Sequence, residues 1–250
     1  MNVLRRFRTF PDKTQYFGYY RTSEGVHYIG TELMWGTLHK LLQQRAAGLK
    51  TSMSAVAYVA DRISSSLLDL HRLRMAHRDL KPENFLLDVK GRLRLCKLRL
   101  AFFAQSLLTS LCSADFGLVK RFDHDARTKT YTGTPGFMAP EITKDESNEY
   151  DAYKADVFAF GRMSILYCLA FPSNEILPGT MYYTCFSVDA PDSYERLLHL
   201  MSLFEADGDI MKIGFASLLR QSLHPDPAVR PCLIQLIRVS PSLSEYLSHH

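Results

Sequence analysis

The string His-Arg-Asp-Leu-Lys-Pro-Glu-Asn, residues 77–84, constrains this chain more than any other stretch. It places an acid (Asp79), a cation (Lys81) and an amide (Asn84) close together, with Pro82 stiffening the backbone between them. The sequence ahead of it carries an apolar stripe, in which Met53, Val56, Val59, Ile63, Leu67 and Leu70 recur at spacings of three and four. That period predicts a helix that packs on a core, N-capped by Ser52 and ending near Arg74. Beyond the string, residues 85–88 read as a short buried strand, 89–91 as a turn and 92–96 as a second strand. The polar string is therefore expected to be a loop between a core helix and a pair of strands. By composition alone it would be no more than a charged turn.

The chemistry of the three side chains is more specific than that. A carboxylate accepts a hydrogen bond from an attacking hydroxyl, a lysine neutralises charge on a moving group, and an amide oxygen suits magnesium, which prefers hard oxygen ligands. This set fits phosphoryl transfer, where catalysis is mostly positioning and charge neutralisation. Composition leaves room for it. The 250 residues suffice for one large domain or two small ones, and 46% hydrophobic with 22% charged residues is ordinary for a globular chain. The net charge of +4 is mild and calls for no nucleic-acid or membrane partner. Five scattered cysteines without a Cys-x-x-Cys pair favour reduced thiols in an intracellular, cytoplasmic protein. Residues 1–10 hold three arginines and no secretory apolar run, and the richest apolar stretch, 98–111, is too short to span a bilayer.

Read in order, residues 1–10 and 15–20 look like strands around a turn at Pro11-Asp12-Lys13, and 26–33 like another strand. A helix is expected over 38–47, another from Asp156 to about residue 170, stopped by Phe171-Pro172, and a third over 193–204. Further polar strings stand in sequence after the first: Asp115-Phe116-Gly117, then Gly133-Thr134-Pro135-Gly136-Phe137-Met138-Ala139-Pro140-Glu141, Asp156-Val157-Phe158-Ala159-Phe160-Gly161, and Leu223 through Pro231, which contains Arg230.

In this order the strings resemble those of the protein kinase family, of serine/threonine type. The resemblance implies an α+β protein-kinase-like fold, a mainly helical large lobe with a remnant of the small-lobe sheet. Residues 1–34 correspond to that remnant and the hinge, and 35–250 to the large lobe. It further implies that ATP and Mg2+ are bound and that the substrate is a protein with a serine or threonine hydroxyl; the regulatory partner is not readable. By resemblance, Asp79 positions the hydroxyl and Lys81 stabilises the transition state. Asn84 and Asp115 hold magnesium, while Glu32 to Met34 form the hinge behind gatekeeper Thr31, with Leu86 under the adenine. Phe116 and Gly117 shape the start of the activation segment. His77 and Asp156 are structural, Asp156 bonding the catalytic-loop backbone, and Arg230 pairs with Glu141. Thr134 bonds Asp79 and Lys81. Thr130 is the expected phosphorylation site, with Thr128 and Thr132 as competitors, and its phosphate would pair with Arg78.

Two departures qualify this. No Gly-x-Gly-x-x-Gly occurs, and neither the strand lysine nor the helix glutamate of a complete small lobe has a counterpart. Asp79 and Asp115 stand 36 residues apart, about twice the family's spacing, and removing 97–114 would restore an ordinary join. The expectation is a retained in-frame intron and a start codon placed too far downstream. A mature transcript that encodes 97–114 and begins at Met1 would refute it. The alternatives are a genuine insert that engages a partner and, for the whole chain, a catalytically inactive kinase-like interaction module.

Overall fold

The computed structural model describes residues 16–46, 52–95, 120–122, 125–143, 149–169, 193–206 and 208–239. Residues 1–10 and 97–114, and with them the first expected strand and the insertion, lie outside these.

The first described elements form an antiparallel hairpin, β1 (Tyr16–Arg21) and β2 (His27–Thr31), in which Tyr20 faces Tyr28. Gly25, at φ 82°, closes the turn, where a side chain would be strained. A short strand β3 (Gly36–Thr37) leads directly into helix α1 (Leu38–Ala46), with the Thr37 hydroxyl accepting from the Lys40 amide at 3.1 Å. Helix α2 (Met53–Arg72) follows the apolar stripe: Val56, Val59, Ile63, Leu67 and Leu70 are all buried. The Ser52 hydroxyl caps it by accepting from the Ala55 amide at 3.2 Å. The chain leaves this helix through Arg74, a non-glycine residue at φ 59°.

Strand β4 (Met75–Ala76) pairs with β7 (Lys120–Arg121), and between them the polar string runs into a 3-10 turn over Pro82–Asn84. Strands β5 (Phe85–Leu87) and β6 (Leu93–Leu95) join β3 in a three-stranded sheet ordered β3–β5–β6. Strand β8 (Arg127–Thr128) pairs with β9 (Tyr150–Asp151), and a single helical turn α3 (Pro140–Thr143) lies between them.

Helix α4 (Ala152–Leu169) is the centre of the helical lobe. Val157, Phe158, Phe160, Met163, Ile165 and Tyr167 are buried on every side of it, as expected for an interior helix rather than an amphipathic one. It starts one turn earlier than the sequence reading placed it, because Asp151 Oδ1 accepts from the Tyr153 amide at 2.8 Å and so acts as its N-cap. It packs on α2 and on α6 (Ile210–Ser222). Gly161 makes the second approach possible, since a Cβ there would meet Leu223 Cγ at 2.8 Å. Helices α5 (Ser193–Ala206) and α7 (Leu233–Val239) pack against α6, and α7 also touches α2. One continuous core runs through α2, β4–β6 and α4–α7. No helix among the described residues is long and apolar enough to cross a membrane.

Candidate active site

The loop at residues 77–84 is fixed from below by one buried carboxylate. Asp156, near the start of α4, accepts from the His77 amide at 2.7 Å and from the Arg78 amide at 2.8 Å. The same carboxylate is 3.0 Å from His71 Nε2 in the last turn of α2. His71 is a residue that sequence reasoning missed; its partner lies 85 positions away, beyond any local period. With both amides taken by Asp156, the backbone adopts φ 65° at Arg78, and Asp79 meets Thr134.

Asp79 is buried and makes contacts through both oxygens. Oδ1 accepts from the Thr134 hydroxyl at 2.6 Å, and Oδ2 lies 3.6 Å from Lys81 Nζ. Lys81 Nζ in turn donates to Thr134 Oγ1 at 2.7 Å, so the three side chains form a closed triangle. Asn84 Nδ2 donates to the Asp79 carbonyl oxygen at 2.6 Å. The same nitrogen lies 3.5 Å from Asp79 Oδ2. Gly133, at φ 133°, lets the segment approach the loop closely, since a Cβ there would meet Met138 Cγ at 2.8 Å and the Arg78 carbonyl oxygen at 3.3 Å.

Among the described residues no three His, Cys, Asp or Glu side chains stand together as a cage. Magnesium does not require one, because it keeps several waters and is bound through one or two protein oxygens plus substrate phosphates. The amide oxygen of Asn84 is a donor of the kind that manner of binding uses. Asp115, Phe116 and Gly117, the other residues expected at this edge, lie outside the described residues.

The segment that follows is held at several points. The Tyr150 hydroxyl donates to the Thr130 carbonyl oxygen at 2.8 Å. Burial raises the Tyr150 phenol above its ordinary value, opposed by the nearby Arg78 charge and reinforced by Asp156 and Glu141. Thr130 itself is exposed, whereas Thr128 and Thr132 are buried, so the competing sites are shielded and Thr130 is not. Arg162 Nε donates to the Gly136 carbonyl oxygen at 2.7 Å, and burial lowers this guanidinium to about 10. Arg230 lies under α3 with no exposed side-chain surface. It donates through Nη1 to Glu141 Oε1 at 2.8 Å and through Nη2 to Glu141 Oε2. It also bonds the carbonyl oxygens of Lys154 at 2.8 Å and His224 at 2.7 Å.

On the opposite side, Glu32 and Met34 follow β2 and lead to β3, and Trp35 donates its amide to the Leu87 carbonyl oxygen at 2.7 Å. Leu86 is half-buried in β5, between Thr37 and Arg94. Asp88 ends this strand. Burial alone would raise its carboxyl, but the Arg92 backbone and side chain, the Lys90 amide and Arg94 outweigh it and lower it to about 2. A carboxyl depressed in the folded state stabilises above its unfolded value and loses that contribution as pH falls toward the folded one. Asp88 should therefore contribute fully above about pH 4 and progressively less between pH 4 and pH 2. Because Arg92 is 56% exposed and screened, Asp88→Asn is expected to cost about 1 kcal/mol at pH 7. It should also flatten the acid limb of a stability-versus-pH curve measured by urea denaturation; an unchanged limb would contradict the assignment.

The fold and this loop together define a phosphoryl-transfer scaffold of the kinase type. The protein kinase domain profile matches residues 1–240, and the chain belongs to the protein kinase family. It is 30% identical over 212 residues to serine/threonine-protein kinase Sgk2 of Mus musculus, covering 84% of this chain and 47% of that protein. It is 28% identical over 180 residues to serine/threonine-protein kinase chk-2 of Caenorhabditis elegans, covering 72% and 32%. It is 42% identical over 107 residues to rhodopsin kinase GRK1 of Homo sapiens, covering 43% and 15%. The chain thus spans less than half the length of these relatives.

Proposed function

We propose that this chain transfers the γ-phosphoryl group of ATP to serine or threonine hydroxyls of proteins. The observation that carries the reading is the closed triangle of Asp79, Lys81 and Thr134. Thr134 occupies Asp79 Oδ1, and Oδ2, beside the Lys81 charge and 3.5 Å from Asn84 Nδ2, is the oxygen that accepts the substrate hydroxyl. In the reaction the hydroxyl oxygen forms a bond to the γ-phosphorus, the bond from that phosphorus to the β-phosphate oxygen breaks, and the hydroxyl proton passes to Asp79. Lys81 stabilises the negative charge on the transferring group. Magnesium, held by Asn84 and Asp115, supplies charge neutralisation on the phosphates when bound.

The remaining roles follow the same reading. The backbone of Glu32 to Met34 holds the adenine and Leu86 lies beneath it, which assigns 1–34 to the small lobe and hinge and 35–250 to the large lobe, with 97–114 as an atypical insertion. Phe116 and Gly117 open the activation segment. Phosphate on Thr130 pairs with Arg78; support comes from the exposure of Thr130 and from Tyr150, which bonds the Thr130 backbone and lies close enough to Arg78 to feel its charge. The partners are protein substrates, and neither nucleic acid nor a membrane span enters the reading. The site of action is the cytoplasm.

Thermal unfolding with and without Mg·ATP tests nucleotide binding directly. A ligand that binds only the folded state at a hundredfold excess over its dissociation constant stabilises by about 2.7 kcal/mol, so a rise of several degrees is expected. No rise, or a rise indifferent to magnesium, would favour the non-catalytic interaction module instead.

A further inference from the structure

Arg94 is a charged residue in the middle of the core strand β6. Its side chain is 8% exposed, and burying a guanidinium is costly unless it is well paired. Its pairing is divided between two carboxylates from separate parts of the fold. Nη2 and Nε lie 3.2 and 3.3 Å from Asp88 Oδ2, and Nε lies 3.7 Å from Glu32 Oε1. The Asp88 end is immobile, because Oδ1 also accepts from the Lys90 amide at 2.8 Å and the Arg92 amide at 2.9 Å, and Oδ2 from Arg92 Nε at 2.7 Å. The Glu32 end belongs to the segment that joins the β1–β2 hairpin to β3. Arg94 is also directly opposite Leu86 in the β5–β6 ladder, and residues opposite each other across a ladder share one face of the sheet.

We infer that Arg94 is a positioning residue for the nucleotide base: anchored on Asp88, it holds Glu32, and with it the hinge backbone, at a fixed height above Leu86. The inference rests on the kinase reading, which makes Leu86 the floor and residues 32–34 the wall of the base site. The bridge fixes the width of that slot before a base enters, so that less ordering accompanies binding. It acts on the base end of the nucleotide, since Glu32 and Arg94 flank Leu86.

Calorimetric titration of the chain with adenosine and with Mg·ATP tests this. Glu32→Gln and Arg94→Met are each expected to weaken adenosine about fivefold, the scale of one partly buried ion pair. The double variant should be no weaker than either single one, and Arg94→Lys should recover part of the loss. Should Arg94→Met fail to fold, Glu32→Gln probes the same bridge from its more exposed end, at 21% exposure. Adenosine affinity unchanged in Glu32→Gln, or losses that add in the double variant, would overturn the inference while the kinase reading stood. A wild-type chain that binds no Mg·ATP would overturn both.

Discussion

Replacing Asp79 by asparagine is expected to lower phosphoryl transfer about a thousandfold, with Mg·ATP binding changed by no more than about twofold. The substitution is close to isosteric, and its effect is decided by which atoms accept. The amide oxygen of the new side chain takes over the bond from the Thr134 hydroxyl, now received by Oδ1 at 2.6 Å. The amide nitrogen then lies where Oδ2 stood, 3.6 Å from Lys81 Nζ. A donor in that place cannot accept the proton of an incoming hydroxyl, and it faces a cation without compensating charge. The loop keeps its shape, because Asp156 still holds the His77 and Arg78 amides. Steady-state kinetics should show the loss in kcat, and nucleotide titration should show the binding retained. Equal activity in the variant would remove Asp79 from the mechanism.

The second large effect is on stability. Arg230→Met is expected to destabilise the chain by about 3–5 kcal/mol, which for a protein of this size lowers Tm by about 10 °C. The guanidinium has no exposed surface and the Glu141 side chain is 12% exposed, so its removal leaves a carboxylate facing the core without its cation. The carbonyl oxygens of Lys154 and His224 lose a donor as well. Phe158, whose ring lies 5.1 Å from the guanidinium carbon, loses a cation–π partner. Arg230→Lys should fall between the two, since an ammonium keeps the charge but cannot make the planar two-pronged bond. A Tm for Arg230→Met within about 2 °C of wild type would show that this pair contributes little.

The parts of the fold written in the sequence are those set by local period or by a compact string. Helix α2 announced itself through Val56, Val59, Ile63, Leu67 and Leu70, and through the Ser52 cap. The strands β5 and β6 followed from the Asp88-to-Arg92 turn between two apolar runs. Helices α6 and α7 were not foreseen, although Ile210, Ile213, Leu218 and Leu219 offered an apolar pattern for α6. The two-residue pairs β4–β7 and β8–β9 were not foreseen either, because two residues are too few to display alternation.

At the site, the residue types and their order were legible, and the forces that hold them were not. His71 with Asp156, Arg162 with the Gly136 carbonyl and Arg94 with Glu32 are contacts between elements far apart in the chain. Each is set by how the helices and sheet pack, which no spacing in the sequence encodes. Thr130 is preferred to Thr128 and Thr132 by resemblance alone, whereas their difference in burial, one exposed and two buried, is set by the fold.

The most direct test of the account is transfer of label from γ-phosphate-labelled ATP to protein in the presence of magnesium, followed by phosphoamino-acid analysis. The account expects label on serine and threonine, abolished by chelating magnesium and by Asp79→Asn. A chain that binds Mg·ATP but transfers no label, or one whose transfer survives Asp79→Asn, would contradict it.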